Sequence, residues 1–334
     1  MLIHHESGGA MSEPLTQSRH NGYKTMTAAA NPAKSAAIPA KVWLMLLALG
    51  ALWGGSFFFA RIAVKEFPPL WLVFFRVIIA ALALHLYLAA TGQWQSFRRT
   101  PFLPFFGLGL LNNAIPFSLI FAGQTVLGAG LASILNATTP FLTVIAANIL
   151  TPDEKATPAK VMGTLIGILG AAVIVGQSMF ETLGAPLWAQ MAVIGAASSY
   201  ALASIYGKRF RQVPPLVTAA GQLTASTILM LPVALAVHGF PAPQQWSASS
   251  WLAVLALALG STAFAYTLFF GILAAAGATV VSLVTLIVPV SAVLLGVLFL
   301  GESLALNQFF GMAMIGAGLF VLNRGAISHS LRQT

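Results

Sequence analysis

The amino-acid sequence predicts an all-α membrane protein of ten transmembrane helices, arranged as two inverted repeats of five helices. Three observations lead to this prediction: the composition is strongly apolar, charged residues fall almost entirely between apolar stretches, and one pattern of residues occurs twice. Of the 334 residues, 58% are hydrophobic and 7% are charged. Soluble domains carry about 25% charged residues, so this composition excludes an ordinary water-soluble globule.

The charge-free intervals predict the number of spans, since about 20 apolar residues suffice for a helix to cross the hydrocarbon core. The 53 residues between Arg99 and Asp153 contain no Asp, Glu, Lys or Arg and are long enough for two spans. The 90 residues between Arg211 and Glu302 are long enough for three. The five single spans that complete the ten are predicted at Val42–Ala60, Leu70–Ala90, Val161–Phe180, Thr182–Gly207 and Ser303–Asn323.

The distribution of basic residues predicts the orientation of these spans. With a cytoplasmic N-terminus, 13 of the 16 Lys and Arg residues fall in cytoplasmic segments, Arg61 and Lys65 fall outside, and Arg76 falls within span two. Cytoplasmic loops carry an excess of Lys and Arg, so we expect a multi-pass inner-membrane protein with both termini in the cytoplasm. Because the basic residues are spread among the loops, the net charge of +9 does not indicate nucleic-acid binding.

The two ends of the chain differ from the apolar middle. Residues 1–40 are rich in Ser, Ala, Thr and Gly and contain no apolar core of a secretory signal. We expect residues 1–40 to form a disordered cytoplasmic tail and residues 325–334 a short cytoplasmic C-terminal tail. Between them we place a first five-helix repeat at 41–180 and a second at 181–324.

A duplication supports this division into halves. Gly128, Ala129, Ser133 and Pro140 recur 149 positions later as Gly277, Ala278, Ser282 and Pro289. Glu154, Gly163 and Gly170 recur 148 positions later as Glu302, Gly311 and Gly318. Five spans separate the copies, and this odd number makes corresponding helices cross the membrane in opposite directions. Inverted repeats of this kind are typical of transporters that expose one central site to either side in turn.

Spans one and two contain the run Trp53-Gly54-Gly55-Ser56, then Arg61, Pro68-Pro69 and Arg76. Together with the duplicated Pro, Glu and Gly series, this pattern resembles the EamA family of the drug/metabolite transporter superfamily. The resemblance covers residues 41–324 and implies a ten-helix secondary transporter, often an exporter of amino acids or other small metabolites. Arg61 stands where the family often has Lys, and the first copy has Asp153-Glu154 instead of a Gly-Glu turn. Both departures leave the substrate open.

Span four carries a polar stripe. Ser133, Asn136, Thr139 and Thr143 follow helical spacing and share one face, and Pro140 removes a backbone hydrogen bond in the same stretch. Span nine repeats the arrangement with Ser282, Thr285 and Pro289. Buried polar groups need partners, so the stripe faces protein or a wet cavity. Two interpretations stay open: the stripe lines a substrate cavity, or it joins neighbouring helices by hydrogen bonds.

Spans three and eight present a second pair of polar faces. Asn113 and Phe117 are four residues apart, and they align at the 149 offset with Thr262 and Tyr266. Mixed amide, hydroxyl and aromatic groups suit a small, partly apolar solute with a polar head. The alternative is core packing, with the Tyr266 hydroxyl bonded to a neighbouring helix.

Arg76 is the basic residue that lies well inside a span, and it aligns with Gln222 at an offset of 146. No Asp or Glu falls within any predicted span, so a substrate carboxylate is one candidate partner, since guanidinium groups match carboxylates. The alternatives are that the side chain reaches outward or caps free carbonyls.

Trp53 lies deeper than the other tryptophans and is expected to face the cavity. The predicted substrate-binding residues are Trp53, Arg76, Asn113, Asn136, Thr139, Thr262, Tyr266 and Thr285, with Pro140 and Pro289 as hinges or kinks.

Several function classes lose support. The chain has no Cys and contains no His-Glu-x-x-His, Gly-x-Ser-x-Gly or Walker motif, so we expect no enzyme activity, no metal and no cofactor. The expected partners are a small-molecule substrate and the lipid bilayer, with no nucleic acid, for a monomer or homodimer. We expect a secondary transporter that exports amino acids or related small metabolites. The rival interpretation is a membrane receptor or assembly subunit that transports nothing.

Overall fold

The computed structural model of the protein describes residues 39–151, 157–178, 186–281 and 284–330. Within these ranges the chain folds into helices joined by short loops and forms no strand. Some predictions lie wholly or partly outside the described residues: most of the 1–40 tail, Asp153-Glu154, the boundary between spans five and six at 179–185, Ser282 and the last four residues of the C-terminal tail.

Five long helices form the first half: α1 (Ala40–Ala63), α2 (Pro69–Ala90), α3 (Leu103–Gln124), α4 (Ala129–Leu150) and α5 (Pro158–Ser178). A proline opens α2 because its fixed φ suits the first helical turn, where its missing N–H leaves no bond unmade. A short helix, Trp94–Arg99, joins α2 to α3. Helix α4 is interrupted after Asn136 and resumes at Thr139.

Five more long helices form the second half: α6 (Leu187–Tyr206), α7 (Pro215–His238), α8 (from Ala248 to Val281), α9 (Val284–Leu300) and α10 (Leu306–Ser330). Helix α7 starts at the second proline of Pro214-Pro215, as α2 starts at the second proline of Pro68-Pro69. The paired prolines therefore mark the same boundary in both halves.

Six helical segments of the described chain are long and apolar enough to cross a membrane: Ala40–Ala63, Pro69–Ala90, Leu103–Gln124, Ala129–Leu150, Pro215–His238 and Ala248–Ile272. Helices α5, α9 and α10 contain shorter apolar stretches, at Pro158–Val173, Ile287–Leu300 and Leu306–Val321. Helix α6 belongs to neither group, since Gln190, Ser198 and Ser199 dilute its apolar residues. The count of ten spans therefore stays a prediction.

The helices pack in the same pairs when the helices of one half are exchanged for those of the other. Helix α2 packs on α7, and α5 packs on α10. Helix α1 packs on α8 and α9, while α6 packs on α3 and α4. Helix α2 also contacts α8, and α7 contacts α3. Replacing each helix by its counterpart five places along reproduces the same pairs, as an internal two-fold relation requires.

Glycines allow α5 and α10 to approach closely. A Cβ built on Gly318 would lie 2.6 Å from the carbonyl oxygen of Gly163 and 2.8 Å from the amide nitrogen of Gly167. A Cβ on Gly170 would lie 2.8 Å from the carbonyl oxygen of Gly311. Only glycine lets these backbones meet, so the repeated glycines serve packing between the two halves.

Candidate functional site

Arg76 lies in the apolar core with only 6% of its surface exposed. Its Nε donates a hydrogen bond to Thr262 Oγ1 on α8, at 2.9 Å. Thr262 Oγ1 in turn donates to the carbonyl of Leu257, five residues earlier, at 2.8 Å. The hydroxyl proton is therefore engaged by the carbonyl, and the oxygen lone pairs are available to the guanidinium. The two hydrogen bonds fix both the position of the arginine and the rotamer of the threonine.

The guanidinium also lies over an aromatic ring. Arg76 Cζ is 3.9 Å from the centroid of Phe117 and 5.7 Å from that of Phe121, both on α3. Such cation–π contacts stabilise a desolvated cation by about 2 kcal/mol. The terminal nitrogens Nη1 and Nη2 of Arg76 donate no hydrogen bond to any residue that the structure describes. An arginine stays charged in proteins, so the core holds a positive charge with unused donors.

Amide and phenol groups stand beside this charge. Asn112 Nδ2 donates to Gln222 Oε1 on α7 at 2.9 Å and lies 3.5 Å from the hydroxyl of Tyr266 on α8. The phenol groups of Tyr266 and of Tyr200, which lies on α6, are close enough to Arg76 to interact with its charge. Helices of both halves thus contribute to one site. We define the Arg76 cluster as Arg76, Asn112, Phe117, Gln222, Thr262 and Tyr266.

The cluster repeats across the internal two-fold relation. Arg76 on α2 bonds to α8 through Thr262, and its counterpart Gln222 on α7 accepts a hydrogen bond from Asn112 on α3. Asn112 is one residue away from Asn113, the position that aligns with Thr262. The two cross-helix bonds occupy corresponding places, but one half supplies a cation and the other a neutral amide.

The partner helices of α2 and α7 in these bonds, α8 and α3, each contain a π-helical segment. In α3 it covers Leu110–Ala114, and in α8 it covers Ala256–Phe264. At the 149 offset the first segment falls within the second. A π-helical segment inserts an extra residue into the turn, leaves backbone groups less regularly paired and often occurs at functional sites. Here it brings Asn112 and Thr262 to the cluster. The sequence holds one signal for the first segment, Pro116, and none for the second.

Among the predicted ligands, the structure brings together Arg76, Thr262 and Tyr266. Asn113 is fully buried and donates from Nδ2 to Ser226 Oγ on α7, at 3.1 Å, in a contact that joins two helices. Its neighbour Asn112, which sequence reasoning did not select, is the amide that reaches Gln222 and Tyr266. The geometry of Asn113 indicates packing, and its role as a ligand stays a prediction.

The polar stripe of α4 mostly bonds to its own helix. Thr139 Oγ1 donates to the carbonyl of Asn136 at 2.7 Å, and Thr143 Oγ1 donates to that of Thr139 at 2.9 Å. Asn136 is half-buried, and its Oδ1 has no hydrogen-bond partner among the described residues. Thr285, in the first turn of α9, is half-buried as well. The roles of Asn136, Thr139 and Thr285 as ligands therefore stay predictions.

The two predicted hinge prolines occupy different settings. Pro140 is the second residue of the resumed part of α4, directly after the interruption at 137–138. Pro289 is buried inside α9, which runs without a break from Val284 to Leu300. Trp53 is half-buried on α1, and its ring centroid is 5.7 Å from that of Phe269 on α8.

A second polar region lies at the end of the bundle where α1 and α3 end and α4 begins, which we name the Glu302 end. Arg61 Nη1 donates to the carbonyls of Gln124 at 2.6 Å and Thr125 at 2.9 Å, which caps the end of α3. Glu302 accepts from the amides of Ala129 at 2.7 Å and Gly130 at 3.1 Å, which caps the start of α4. Both charges match the helix dipole at the end they contact. A cleft of about 320 Å³ lies between them.

The loops of the same end are tied by a carboxylate. Glu66 accepts from the backbone N–H of Ser247 at 2.7 Å and from its hydroxyl at 2.8 Å. These two hydrogen bonds hold the pKa of the exposed Glu66 carboxyl below its usual 4.5. Next to Glu66 along the chain, the ring of Phe67 packs on two tryptophans. Its centroid is 4.0 Å from the ring centroid of Trp246 and 5.1 Å from that of Trp251. Within the described chain, no three His, Cys, Asp or Glu residues are grouped as metal ligands.

Comparison with known proteins identifies the family. The pattern of the EamA-like transporter family matches residues 41–176 and again residues 187–324, once in each half of the chain. The chain belongs to the EamA-like transporter family. Proteins of the EamA type are membrane transporters and not enzymes. This EamA chain is therefore a multi-pass membrane transporter, as the resemblance of its motifs implied.

Relatives along nearly the whole EamA chain carry the same description. The uncharacterized transporter YoaV of Bacillus subtilis is 26% identical over 84% of this chain and 96% of its own length. The uncharacterized inner membrane transporter YedA of Escherichia coli is 25% identical over 84% of this chain and 90% of its own. One crystal structure of a 25% identical protein superposes with a TM-score of 0.63, over 84% of this chain and 95% of the other.

Proposed function

We propose that this EamA protein is a secondary transporter of ten membrane-spanning helices in two inverted repeats, which exports amino acids or related small metabolites by alternating access. It would lie in the inner membrane with both termini in the cytoplasm, and it would need neither a metal nor a cofactor. The asymmetry of the Lys and Arg residues supports the orientation, and the two-fold packing of α1–α5 with α6–α10 supports the repeat.

The observation that carries the proposal is the buried Arg76, whose two terminal nitrogens donate no hydrogen bond to the described part of the chain. Helices α2 and α3 of the first half and α7 and α8 of the second all contribute to its cluster. Transporters built from repeats bind their substrate at the repeat interface, where rocking of one half against the other opens the site to alternate sides. A buried charge at that interface is costly, and such residues mark substrate pathways in membrane proteins.

The broken helix α4 supports alternating access as well. Its interruption at 137–138, followed by Pro140, divides it into two short helices that can tilt separately. Asn136 and Thr139 lie at this break, and Thr285 and Pro289 lie on α9, which packs against it. We assign these residues, with Trp53, to the walls of the pathway and Arg76, Thr262 and Tyr266 to the binding site itself.

The test is transport by purified protein in liposomes. Vesicles loaded with a panel of unlabelled amino acids and organic acids should take up the matching labelled compound at a saturable rate. Arg76→Gln should abolish that uptake. Lys65 is an exposed cation at the Glu302 end, and the control variant Lys65→Gln should retain the uptake. Absence of uptake for every compound of the panel, by protein with an intact melting transition, would refute transport of this substrate class.

The cysteine-free chain allows a direct test of alternation. Asn136→Cys and Thr285→Cys introduce unique thiols at the break of α4 and the start of α9. A transporter exposes these positions to each side in turn, so membrane-impermeant thiol reagents should label them from both faces. A receptor or assembly subunit would show labelling from one face only, irrespective of added substrate.

A further inference from the structure

We infer that the Arg76 cluster selects organic monoanions, whose carboxylate carries the net charge of the molecule, over zwitterionic amino acids. The inference rests on the proposed function and narrows its substrate range from amino acids and related metabolites to those carboxylates that carry no ammonium group. It follows from three features of the site: the positive charge of Arg76, the lack of a carboxylate beside it in the described helices, and the aromatic surface next to it.

The positive charge of Arg76 has no anionic partner in the described helices. The chain has seven acidic residues in all, and none falls within a predicted span. Glu66 and Glu302 lie in loops, where their carboxylates are already engaged by Ser247 and by the start of α4. Glu66 lies in the loop before α2, and Arg76 is seven residues into that helix from Pro69, about 10 Å along its axis. A bound carboxylate would therefore supply the missing negative charge, with Nη1 and Nη2 as its donors.

Among the residues that the structure describes, the same site holds no carboxylate to pair with an ammonium group. The α-ammonium of an amino acid is only two bonds from its carboxylate carbon, so binding at Arg76 brings it close to the guanidinium, where like charges repel. The oxygens nearby are neutral: Gln222 Oε1 accepts one hydrogen bond from Asn112 and keeps one lone pair, which cannot balance the charge of an ammonium group. The face of Phe117, which a cation would otherwise favour, is occupied by Arg76 itself at 3.9 Å. A zwitterion leaves the site with its net positive charge, whereas a monoanion neutralises it.

The surroundings favour an apolar or planar body on that anion. Tyr266 and Phe270 stack on α8 with centroids 6.1 Å apart and planes at 22°, and both rings are half-buried. Trp53 and Phe269 are half-buried next to them. Aromatic surface of this kind binds flat apolar groups, while a few polar atoms fix their orientation. Together with the charge of Arg76, it describes an arylalkyl or other apolar carboxylate.

Three compounds of nearly the same shape test the inference on the wild-type protein. 3-Phenylpropionate carries the carboxylate alone, phenylalanine adds the ammonium, and phenethylamine has the ammonium alone. Affinities measured by titration calorimetry on purified protein should show 3-phenylpropionate binding at least tenfold more tightly than phenylalanine, with no binding of phenethylamine. Equal or tighter binding of phenylalanine, or binding of none of the three, would overturn the inference.

A variant and a flux measurement separate this inference from the proposed function. Arg76→Gln should remove the preference for 3-phenylpropionate, and Arg76→Lys should restore part of it, while Lys65→Gln keeps the wild-type preference. The three compounds are then compared in liposome uptake. Uptake of phenylalanine in preference to 3-phenylpropionate would leave transport intact and refute the monoanion selectivity. Tight binding of 3-phenylpropionate without uptake of any compound would support the selectivity and refute transport.

Discussion

Arg76 Nε and Thr262 Oγ1 lie 2.9 Å apart and join the two halves of the protein inside its apolar core. The bond connects a helix of the first repeat with the π-helical segment of a helix of the second. It holds a cation at the interface between the repeats, yet it uses only one of the guanidinium nitrogens. In the proposed function the terminal nitrogens bind the substrate, so this one contact would both position the arginine and leave donors for a ligand.

Thr262→Val should weaken carboxylate binding while the protein still folds. Valine has nearly the same shape but cannot accept from Arg76, so the guanidinium loses its orientation. A hydrogen bond to a charged group contributes about 1.5–3 kcal/mol, which corresponds to at least tenfold in affinity. The measurement is titration of 3-phenylpropionate. Thr262→Ser should bind like the wild type. Thr267→Val is the matched control, because the Thr267 hydroxyl donates to the carbonyl of Phe264 on its own helix. Unchanged affinity of the Thr262→Val variant would contradict the positioning role.

The central charge was predictable from the sequence, but its neighbours were only partly so. Arg76 is conspicuous because no acidic residue shares its span, and the 149 offset selected Thr262 and Tyr266 by comparison of the halves. The same offset selected Asn113 instead of Asn112. Helical spacing of 3.6 residues places Asn113 and Phe117 on one face, whereas the π-helical segment rotates the chain so that Asn112 reaches the cluster. Periodicity cannot detect an inserted residue, and contacts across helices depend on packing that no single span encodes.

Gly318→Ala should lower the stability of the bundle. The added methyl would meet the Gly163 carbonyl at 2.6 Å, and this atom belongs to a backbone that cannot rotate away. Overpacking of this kind costs about 1–3 kcal/mol. Gly316→Ala, two residues earlier on the same helix, is the control, because a Cβ there has no neighbour within 4 Å. Thermal unfolding in detergent should show a lower Tm for Gly318→Ala and no loss for Gly316→Ala. Equal Tm values would mean that the two glycines are equivalent.

Glu302→Gln should loosen the start of α4. The carboxylate accepts from the amides of Ala129 and Gly130, and a neutral amide offers one acceptor and no charge for the helix dipole. Loss of a helix cap costs about 1 kcal/mol. Amide hydrogen exchange by mass spectrometry should show faster exchange confined to the first turn of α4. Ser303→Ala, at the exposed neighbouring position, should leave that exchange unchanged, and equal effects of both variants would refute the capping role.

The bond between Glu66 and Ser247 should make the Glu302 end sensitive to acid. Because the backbone N–H and the hydroxyl of Ser247 lower the pKa of Glu66 below 4.5 in the folded protein, the carboxylate contributes stability above that value. The contribution is lost as the pH falls from 4.5 through the lower folded pKa. The Tm difference between the wild type and Glu66→Gln should therefore be constant near neutral pH and shrink in acid. Lys65→Gln should show no such convergence, and a difference that persists in acid would contradict the assignment.

The uncompensated charge of Arg76 also predicts how the protein turns over. Under the proposed alternating access, a bound monoanion would neutralise the guanidinium, and the loaded carrier would pass through its occluded state without a net buried charge. The empty carrier must pass the same state with the charge unpaired, at a cost of about 2.5–3.5 kcal/mol. Exchange of labelled for unlabelled 3-phenylpropionate should therefore run at least tenfold faster than net efflux into substrate-free buffer. An imposed membrane potential should change the net efflux and leave the exchange rate constant. Equal rates of exchange and net efflux would show that Arg76 is neutralised by the protein itself and not by its substrate.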